Sequence, residues 1–101
     1  MKIEWTKPAL ADMQAIRDYI GRDSSYYAAR FIEKVIAAVE KLEEFPQAGR
    51  TVAEAEADNT RELLFQNYRI IYQADSQSVL ILAVIHGARK NRDRPKPWEI
   101  Y

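Results

Sequence analysis

The chain contains no cysteine and a single histidine, His86, among its 101 residues. Without cysteine there can be neither a disulfide framework nor a thiolate metal site, and no spacing of carboxylates suggests a zinc site around one imidazole. No stretch approaches the roughly 20 apolar residues of a membrane span, and the N-terminus lacks the basic-then-apolar layout of a signal peptide. We therefore expect a cytoplasmic protein with no metal, no cofactor and no contact with a membrane.

Length and composition are those of one folded domain spanning residues 1–101. The hydrophobic fraction of 48% is typical of a globule, and 101 residues supply one modest core. The formal net charge is zero, yet the charges are unevenly distributed. Residues 40–58 are mainly acidic, which is typical of a solvated face. A basic tail, from about residue 89 to residue 101, carries Arg89, Lys90, Arg92, Arg94 and Lys96.

The basic tail also contains Pro95, Pro97 and Trp98. Prolines and an aromatic residue in a basic C-terminal segment indicate a segment that docks on a surface. That surface is either a partner's or the domain's own, in which case Trp98 and Ile100 would be the anchors. Charge asymmetry of this kind concerns partners and steering more than fold.

Two amphipathic helices are predicted in the first half of the chain. Thr6 is a suitable N-cap with Pro8 in the first turn, and helical spacing continues to Gly21. A second helix is predicted from residues 23–25 to Phe45-Pro46, because proline disfavours helix in the residue before it. The short connection predicts an antiparallel hairpin. Its apolar stripes, expected to be core, are Leu10, Met13, Ile16 and Ile20, then Ala28, Phe31, Ile32, Val35, Val39 and Leu42.

Strand patterns flank the helices on both sides. Residues 1–5 form a short strand, and residues 61–65, 68–73 and 79–85 form three more after a connector at 46–59. Gln66-Asn67 has the length of a tight hairpin turn, in which asparagine tolerates positive φ. We therefore predict an α+β domain in which an antiparallel helical hairpin packs on a mostly antiparallel sheet of three to four strands. The N-terminal strand is expected at an edge.

Cationic and titratable side chains accompany the predicted sheet, namely Arg61, Arg69, His86 and Arg89. Alternation along residues 68–73 places Arg69 on the face opposite Tyr68, Ile70 and Tyr72. A guanidinium held on a strand either binds phosphate or carboxylate ligands or pairs with Glu62 of the neighbouring strand. His86 either bonds a carbonyl at the strand end or takes part in acid–base chemistry.

Metal-free RNA cleavage would need a base, an acid and cations at the scissile phosphate. The four side chains just named supply an acid and cations, but the candidates for the base are only Glu54 and Glu62. There is no lysine between Lys41 and Lys90. The set is partial, so a binding protein and an enzyme both stay open at this point.

Several motifs, in order and spacing, resemble the RelE/ParE toxin superfamily. They are Trp5-Thr6-Lys7-Pro8-Ala9, Phe45-Pro46-Gln47-Ala48-Gly49-Arg50, Arg61-Glu62-Leu63, Tyr68-Arg69-Ile70-Ile71-Tyr72 and Val84-Ile85-His86-Gly87-Ala88-Arg89. The resemblance covers nearly the whole chain. It implies a small α+β toxin of a type II toxin–antitoxin pair, neutralised by a cognate antitoxin.

The superfamily has two functional branches. RelE-like members cleave mRNA in the ribosomal A site, whereas ParE-like members act on DNA gyrase. The Pro-x-x-Gly-Arg step and the His-x-x-Arg ending resemble ParE. Two features depart from the nuclease pattern: the acidic connector, where lysine-using nucleases carry catalytic lysines, and Tyr101, which lies well beyond the last strand.

The leading expectation is a non-enzymatic gyrase inhibitor that arrests growth and stabilises plasmids. The alternative is a ribosome-dependent mRNA endoribonuclease, because Arg69 and His86 match positions that some such members use for catalysis. In that alternative the catalytic candidates are Arg61, Arg69, His86 and Arg89.

The resemblance also implies two interaction surfaces. The surface for the target is expected at Arg69, His86, Arg89, Lys90, Arg92, Arg94 and Trp98. An antitoxin helix is expected on the helical hairpin at Tyr26, Tyr27 and Phe31. An acidic, partly disordered antitoxin segment would be attracted by the basic tail and fold on the toxin.

Overall fold

The computed structural model describes residues 1–55 and 59–87. The described part contains two α-helices, α1 and α2, and five strands, β1 to β5. Their bounds are β1 Lys2–Trp5, α1 Lys7–Gly21, α2 Ser25–Glu40, β2 Arg50–Thr51, β3 Thr60–Phe65, β4 Tyr68–Ala74 and β5 Ser78–His86. Single 3₁₀ turns follow α2, at Lys41–Glu43, and β2, at Ala53–Ala55. Within these ranges no helix has the length and apolarity needed to cross a membrane.

The strands form one mixed sheet in the order β1-β5-β4-β3-β2. Strands β2 to β5 pair antiparallel, while β1 lies parallel to β5 with Ile3 opposite Val79. The α+β fold and the edge position of the N-terminal strand are confirmed. The sheet has five strands where three to four were predicted, because the connector contributes the two-residue strand β2. Parallel pairing of β1 requires a crossover, which the helical hairpin helps to supply.

The first helix starts at the predicted cap and the second starts within the predicted residues 23–25, whereas the end of the second helix differs from its prediction. The Thr6 hydroxyl accepts a hydrogen bond from the Ala9 N–H at 3.2 Å, and the Ser24 hydroxyl caps α2 in the same way. Helix α2 stops at Glu40, about one turn before Phe45-Pro46, and the following 3₁₀ turn carries Leu42 into the core. Proline disfavours helix in the residue before it, so a helix ends at or before that residue and can end earlier.

The main core lies between the helical hairpin and one face of the sheet. Helix α1 contributes Ala9, Met13 and Ile16, α2 contributes Phe31, Val35 and Val39, and the strands contribute Ile70, Tyr72, Val79, Ile81 and Val84. The predicted stripes are therefore core, apart from Leu10, whose side chain is 54% exposed. We call this sheet surface the helix-side face.

A second apolar cluster lies on the opposite face of the sheet. It consists of Ile71, Leu82, Ala83 and Ile85, with Leu80 packed against it. A register shift at Ile71 and Tyr72 places one extra residue, Leu82, in β5. Such a bulge changes the face to which the following side chains point. Strand β5 contributes residues to both apolar clusters and is therefore buried on both faces.

Candidate functional site

On the face opposite the helices, the buried carboxylate of Glu62 on β3 binds two guanidinium groups. Its Oε1 accepts a hydrogen bond from Arg50 Nε at 2.6 Å, and its Oε2 accepts one from Arg69 Nε at 2.6 Å. The Glu62 side chain is 5% exposed, against 28% for Arg69 and 68% for Arg50. We call these three residues the Arg50–Glu62–Arg69 cluster.

The cluster keeps Glu62 ionised. Burial alone would raise the pKa of Glu62, but the hydrogen bonds from Arg50 and Arg69 outweigh burial and lower the pKa below its ordinary value of 4.5. Two guanidinium groups against one carboxylate leave one net positive charge. Of the two alternatives for Arg69, pairing with Glu62 is therefore the one that the structure contains.

The 46–49 loop, which precedes Arg50, is held by Tyr72 from the helix-side face. The Tyr72 hydroxyl donates to the Pro46 carbonyl at 2.9 Å and accepts the Gly49 N–H at 2.9 Å. Burial raises the pKa of Tyr72 above its ordinary value of 10.0, although the hydrogen bond from the Gly49 N–H opposes this rise. The hydroxyl therefore stays protonated and able to donate at neutral pH.

Arg61 holds the same loop from β3. Its Nη1 donates to the Gly49 carbonyl at 2.8 Å, and it lies opposite Tyr72 in the strand register. Gly49 has no room for a side chain, because a Cβ there would lie 2.6 Å from both the Glu62 carbonyl oxygen and the Tyr72 hydroxyl. Arg61 thus fixes the loop that presents Arg50. We call the contacts of Tyr72 and Arg61 with the loop the loop lock.

His86 ends β5 opposite Tyr68, and their rings meet edge to face with centroids 5.2 Å apart. Tyr68 also packs on Phe31 of α2, with ring centroids 5.2 Å apart. The His86 imidazole therefore lies at the edge of an aromatic cluster, formed by Tyr68 and Phe31, that packs the sheet against α2.

Arg69 and His86 line one concavity of about 410 Å³ beside the β3–β4 turn. Gln66, Asn67 and Leu64 line it as well, and the Gly87 N–H donates to the Asn67 carbonyl at 2.6 Å. The residue with positive φ in this turn is Gln66, at 52°, so the expectation for Asn67 was wrong. The structure thus brings together two predicted residues, Arg69 and His86.

The other predicted site residues are distributed more widely. Arg61 belongs to the loop lock, away from this concavity. Tyr26 and Tyr27, in the first turn of α2, are 65% and 67% exposed, whereas Phe31 is buried against Phe65 and Tyr68. The predicted residues of the basic tail, Arg89, Lys90, Arg92, Arg94 and Trp98, lie outside the described residues.

Sequence reasoning missed Arg50 as a site residue and the double pairing of Glu62. A signal was present, because the two-residue turn at Gln66-Asn67 pairs Glu62 with Ile71 and so places Glu62 on the face of Arg69. In the described ranges, no group of three or more histidine, aspartate or glutamate side chains is placed to hold a metal ion.

Comparisons with known proteins match this chain along most of its length. The family model described as "ParE toxin of type II toxin-antitoxin system, parDE" matches residues 3–91. The Toxin RelE2 of Caulobacter vibrioides is 36% identical over 88 residues, which cover 87% of this chain and 97% of that protein. The putative toxin Y4kP of Sinorhizobium fredii is 37% identical over 88 residues, covering 85% and 88% respectively.

Solved structures share the fold at low sequence identity. The chromosomal ParDE system from P. aeruginosa aligns with a TM-score of 0.71 at 21% identity, covering 85% of this chain and 95% of that chain. The RelBE2 toxin–antitoxin complex from Mycobacterium tuberculosis aligns with a TM-score of 0.65 at 21% identity, covering 84% and 95%. Because the family match extends from β1 to beyond β5 and takes in the loop lock, the chain belongs to the ParE toxin family of type II toxin–antitoxin systems.

Proposed function

We propose that this toxin inhibits DNA gyrase in the cytoplasm and that it does so by binding, not by catalysis. The observation that carries the proposal is the match to the ParE family over residues 3–91. The RelE2 name of one relative and the likeness to a RelBE2 complex do not separate the two branches, because the two branches share a fold. The chemistry of the described residues supplies the second argument.

The described side chains are poorly suited to metal-free RNA cleavage. Glu62, a candidate base, is buried between two guanidinium groups that lower its pKa, so it is a weak proton acceptor near neutral pH. Arg61 donates to the Gly49 carbonyl in the loop lock. The candidate base Glu62 and two of the catalytic candidates, Arg61 and Arg69, thus have structural partners, which favours the binding function.

The first test is pulse-labelling of DNA and protein synthesis just after this chain is induced alone in cells. Gyrase inhibition predicts that DNA synthesis falls first while translation continues. If translation stops first, the gyrase proposal is wrong and the ribonuclease candidate replaces it.

The basic tail is the proposed contact with the target. Replacing both Arg92 and Arg94 with glutamate should abolish growth arrest, because the change reverses two positive charges in the segment. The matched control replaces Arg22 and Arg30, two exposed arginines of the helical hairpin, with glutamate. Growth arrest that persists in the tail variant, at equal protein level, would eliminate this role for the tail.

Ribosome-dependent mRNA cleavage is the second candidate, favoured by the concavity that Arg69 and His86 share. If His86 is the general acid, His86→Gln should reduce mRNA cleavage by about two orders of magnitude or more. A gyrase inhibitor should keep most of its toxicity in the same variant. Unfolding midpoints of the two proteins must agree before the result is interpreted.

We also propose that a cognate antitoxin covers the start of α2. The solved relatives are a ParDE system and a RelBE2 complex, and Tyr26 and Tyr27 expose their rings to solvent here. Replacing both tyrosines with alanine should weaken binding of the neighbouring gene's product by about 2 kcal/mol or more, as for aromatic hot spots. Tyr19→Ala, which removes a 64% exposed tyrosine from α1, is the control.

A further inference from the structure

We propose that the end of the basic tail packs back on this chain's own helical hairpin, with Trp98 and Ile100 as its anchors in an apolar groove. The chain makes this contact by itself, so the inference goes beyond the proposed function and does not depend on the target. Of the two surfaces on which the tail could dock, it selects the domain's own.

The groove lies on the surface of the protein where β1, α1 and α2 meet, and we call it the hairpin groove. Its volume is about 360 Å³, and its apolar lining consists of Trp5, Leu10, Met13, Ile32 and Ile36. Leu10 is 54% exposed and Ile36 is 39% exposed, although both lie among apolar neighbours. Exposed apolar side chains that line one concavity indicate a surface that another segment covers.

The apolar side chains of the basic tail are concentrated at its end. Residues 89–97 are charged or polar apart from two prolines, whereas residues 98–101 read Trp-Glu-Ile-Tyr. In an extended segment alternate side chains point the same way, so Trp98 and Ile100 can enter one groove together. Glu99 then faces outward, and Arg17 at the rim of the hairpin groove offers it a charge of opposite sign.

The hairpin groove is within reach of the tail. Trp5 lies opposite Ile81 in the strand register, five residues before His86 at the end of β5, which corresponds to about 17 Å along the strand. Trp98 comes eleven residues after Gly87 and can extend up to about 36 Å from it. The segment is therefore long enough to pass beyond β1 and enter the groove.

The part of the chain that the family shares ends before the anchors. The family match stops at residue 91, and the residues aligned with Toxin RelE2 already cover 97% of that protein. Residues 92–101 therefore lie outside the shared domain. Their apolar end needs a place to pack that is particular to this chain, and the hairpin groove is an apolar concavity within its reach.

Anchoring would also restrain the charged part of the tail. Arg92 and Arg94 would lie on a segment held at one end by β5 and at the other by the hairpin groove. Such a segment has less freedom to lose when it binds a target. This consequence rests on the proposed function, whereas the docking itself does not.

Tryptophan fluorescence tests the docking in the purified full chain. The chain has two tryptophans, so Trp5→Phe leaves Trp98 as the reporter and keeps an aromatic ring in the groove. Packing predicts that acrylamide quenches Trp98 about threefold less than it quenches a peptide of residues 88–101, because a packed ring is shielded from solvent. Leu10→Glu in the same background should restore the quenching of the peptide, since a carboxylate disfavours apolar packing. Leu64→Glu, at a 55% exposed leucine of β3, is the matched control and should change nothing.

The absence of cysteine allows a second test, which introduces no charge into the groove. Ile36→Cys combined with Ile100→Cys should form a disulfide on mild oxidation at low protein concentration, because a disulfide needs Cα atoms within about 7 Å of each other. Leu64→Cys combined with Ile100→Cys is the control and should stay mostly reduced. Non-reducing electrophoresis distinguishes a link within one chain from a link between two chains.

Two results would overturn the proposal. The first is that Trp98 is quenched in the Trp5→Phe chain as strongly as in the peptide, with no further effect of Leu10→Glu. The second is a disulfide that joins two chains, which would assign the hairpin groove to a second copy. A disulfide within one chain, together with quenching that rises in Leu10→Glu alone, would support the proposal. Neither test measures DNA or protein synthesis, so failure of the docking is distinguishable from failure of the gyrase proposal.

Discussion

The two faces of the sheet use arginine in different ways. On the helix-side face, Arg61 donates to a neutral backbone carbonyl and holds a loop. On the opposite face, Arg69 donates to a buried carboxylate that binds a second arginine as well. Both arginines lie on one β-hairpin, and strand register alone sends them to different faces. Whether an arginine of this sheet fixes a loop or forms part of a charged surface therefore depends on the group that it binds, a backbone carbonyl for Arg61 and a carboxylate for Arg69.

The interactions on the two faces of the sheet should respond differently to pH. Between pH 3 and pH 7 the loop lock contains no group that changes its charge, since its members are a hydroxyl, a guanidinium and backbone groups. The Arg50–Glu62–Arg69 cluster contains one, because protonation of Glu62 removes the charge that holds both arginines. The predictions below test this contrast between the faces, beginning with the largest expected effect.

Gly49→Ala should break the loop lock. A Cβ at this position would lie 2.6 Å from a backbone oxygen and from the Tyr72 hydroxyl, so the loop must move away from β3. We expect a loss of about 3 kcal/mol in the free energy of unfolding, measured by urea denaturation. Gly21→Ala is the matched control, because its Cβ would meet only Ala28 at 3.9 Å. Equal stability of the two variants would contradict the account of the loop.

Tyr72→Phe should weaken the same lock without a clash. It removes the hydroxyl that satisfies the Gly49 N–H and the Pro46 carbonyl. Leaving one buried and one partly buried backbone group without that partner should cost about 2 kcal/mol in urea unfolding. Tyr26→Phe, at an exposed ring, should cost almost nothing. A Tyr72→Phe protein as stable as the natural one would mean that the hydroxyl does not hold the loop.

Glu62→Gln should act on the other face and depend on pH. At pH 7 we expect a loss of about 1.5 kcal/mol, less than for a fully buried ion pair because both arginines are partly solvated. The folded-state pKa of Glu62 is lowered, so its contribution is present above pH 4.5 and is lost as the pH falls through the lower folded value. The variant and the natural protein should therefore converge in acid.

The Tyr72→Phe deficit is the internal reference for that experiment, since it should stay nearly constant over the same pH range. Stability curves from urea denaturation at pH 7, 5 and 3 give both comparisons. A Glu62→Gln deficit that does not shrink in acid would show that ionic pairing contributes nothing to the stability of this face.

Gln66→Gly should have the smallest effect on stability. The residue belongs to neither the loop lock nor the Arg50–Glu62–Arg69 cluster, so its replacement should not distinguish the two faces. Gln66 has a φ of 52°, which a residue with a Cβ adopts at a cost of about 1 kcal/mol. Glycine removes this strain but adds freedom to the unfolded chain, so the net gain should be about 0.5 kcal/mol. Thermal unfolding measures it, with Asn67→Gly as the control. A loss of stability would show that the Gln66 side chain makes contacts worth more than the strain.

Local patterns predicted most of the fold. The cap at Thr6, the start of α2, the apolar stripes and the turn at Gln66-Asn67 depend on residues close in sequence, and the structure contains them. Strand β2 has two residues, too few to show a strand period. The register shift at Ile71 and Tyr72 depends on how β4 and β5 fit together, which no single segment encodes.

The sequence predicted which side chains of the candidate site lie on the sheet, but it did not predict which of them pair with each other. Arg69 and His86 were both expected on the sheet, and they line one concavity. Pairing of Arg69 with Glu62 was one of two alternatives, and only the folded geometry decides between them. Arg50 joins the cluster through β2, which brings it opposite Glu62 from a loop twelve residues earlier in the chain.

The parallel pairing of β1 with β5 joins the start of the chain to its last described strand, with Lys2 opposite Ser78. The growing polypeptide therefore cannot complete its sheet until β5 has been synthesised, which takes on the order of ten seconds. Contacts so distant in sequence also slow folding after release. A newly made chain thus passes through an interval in which the sheet, and with it each surface that the sheet presents, is incomplete.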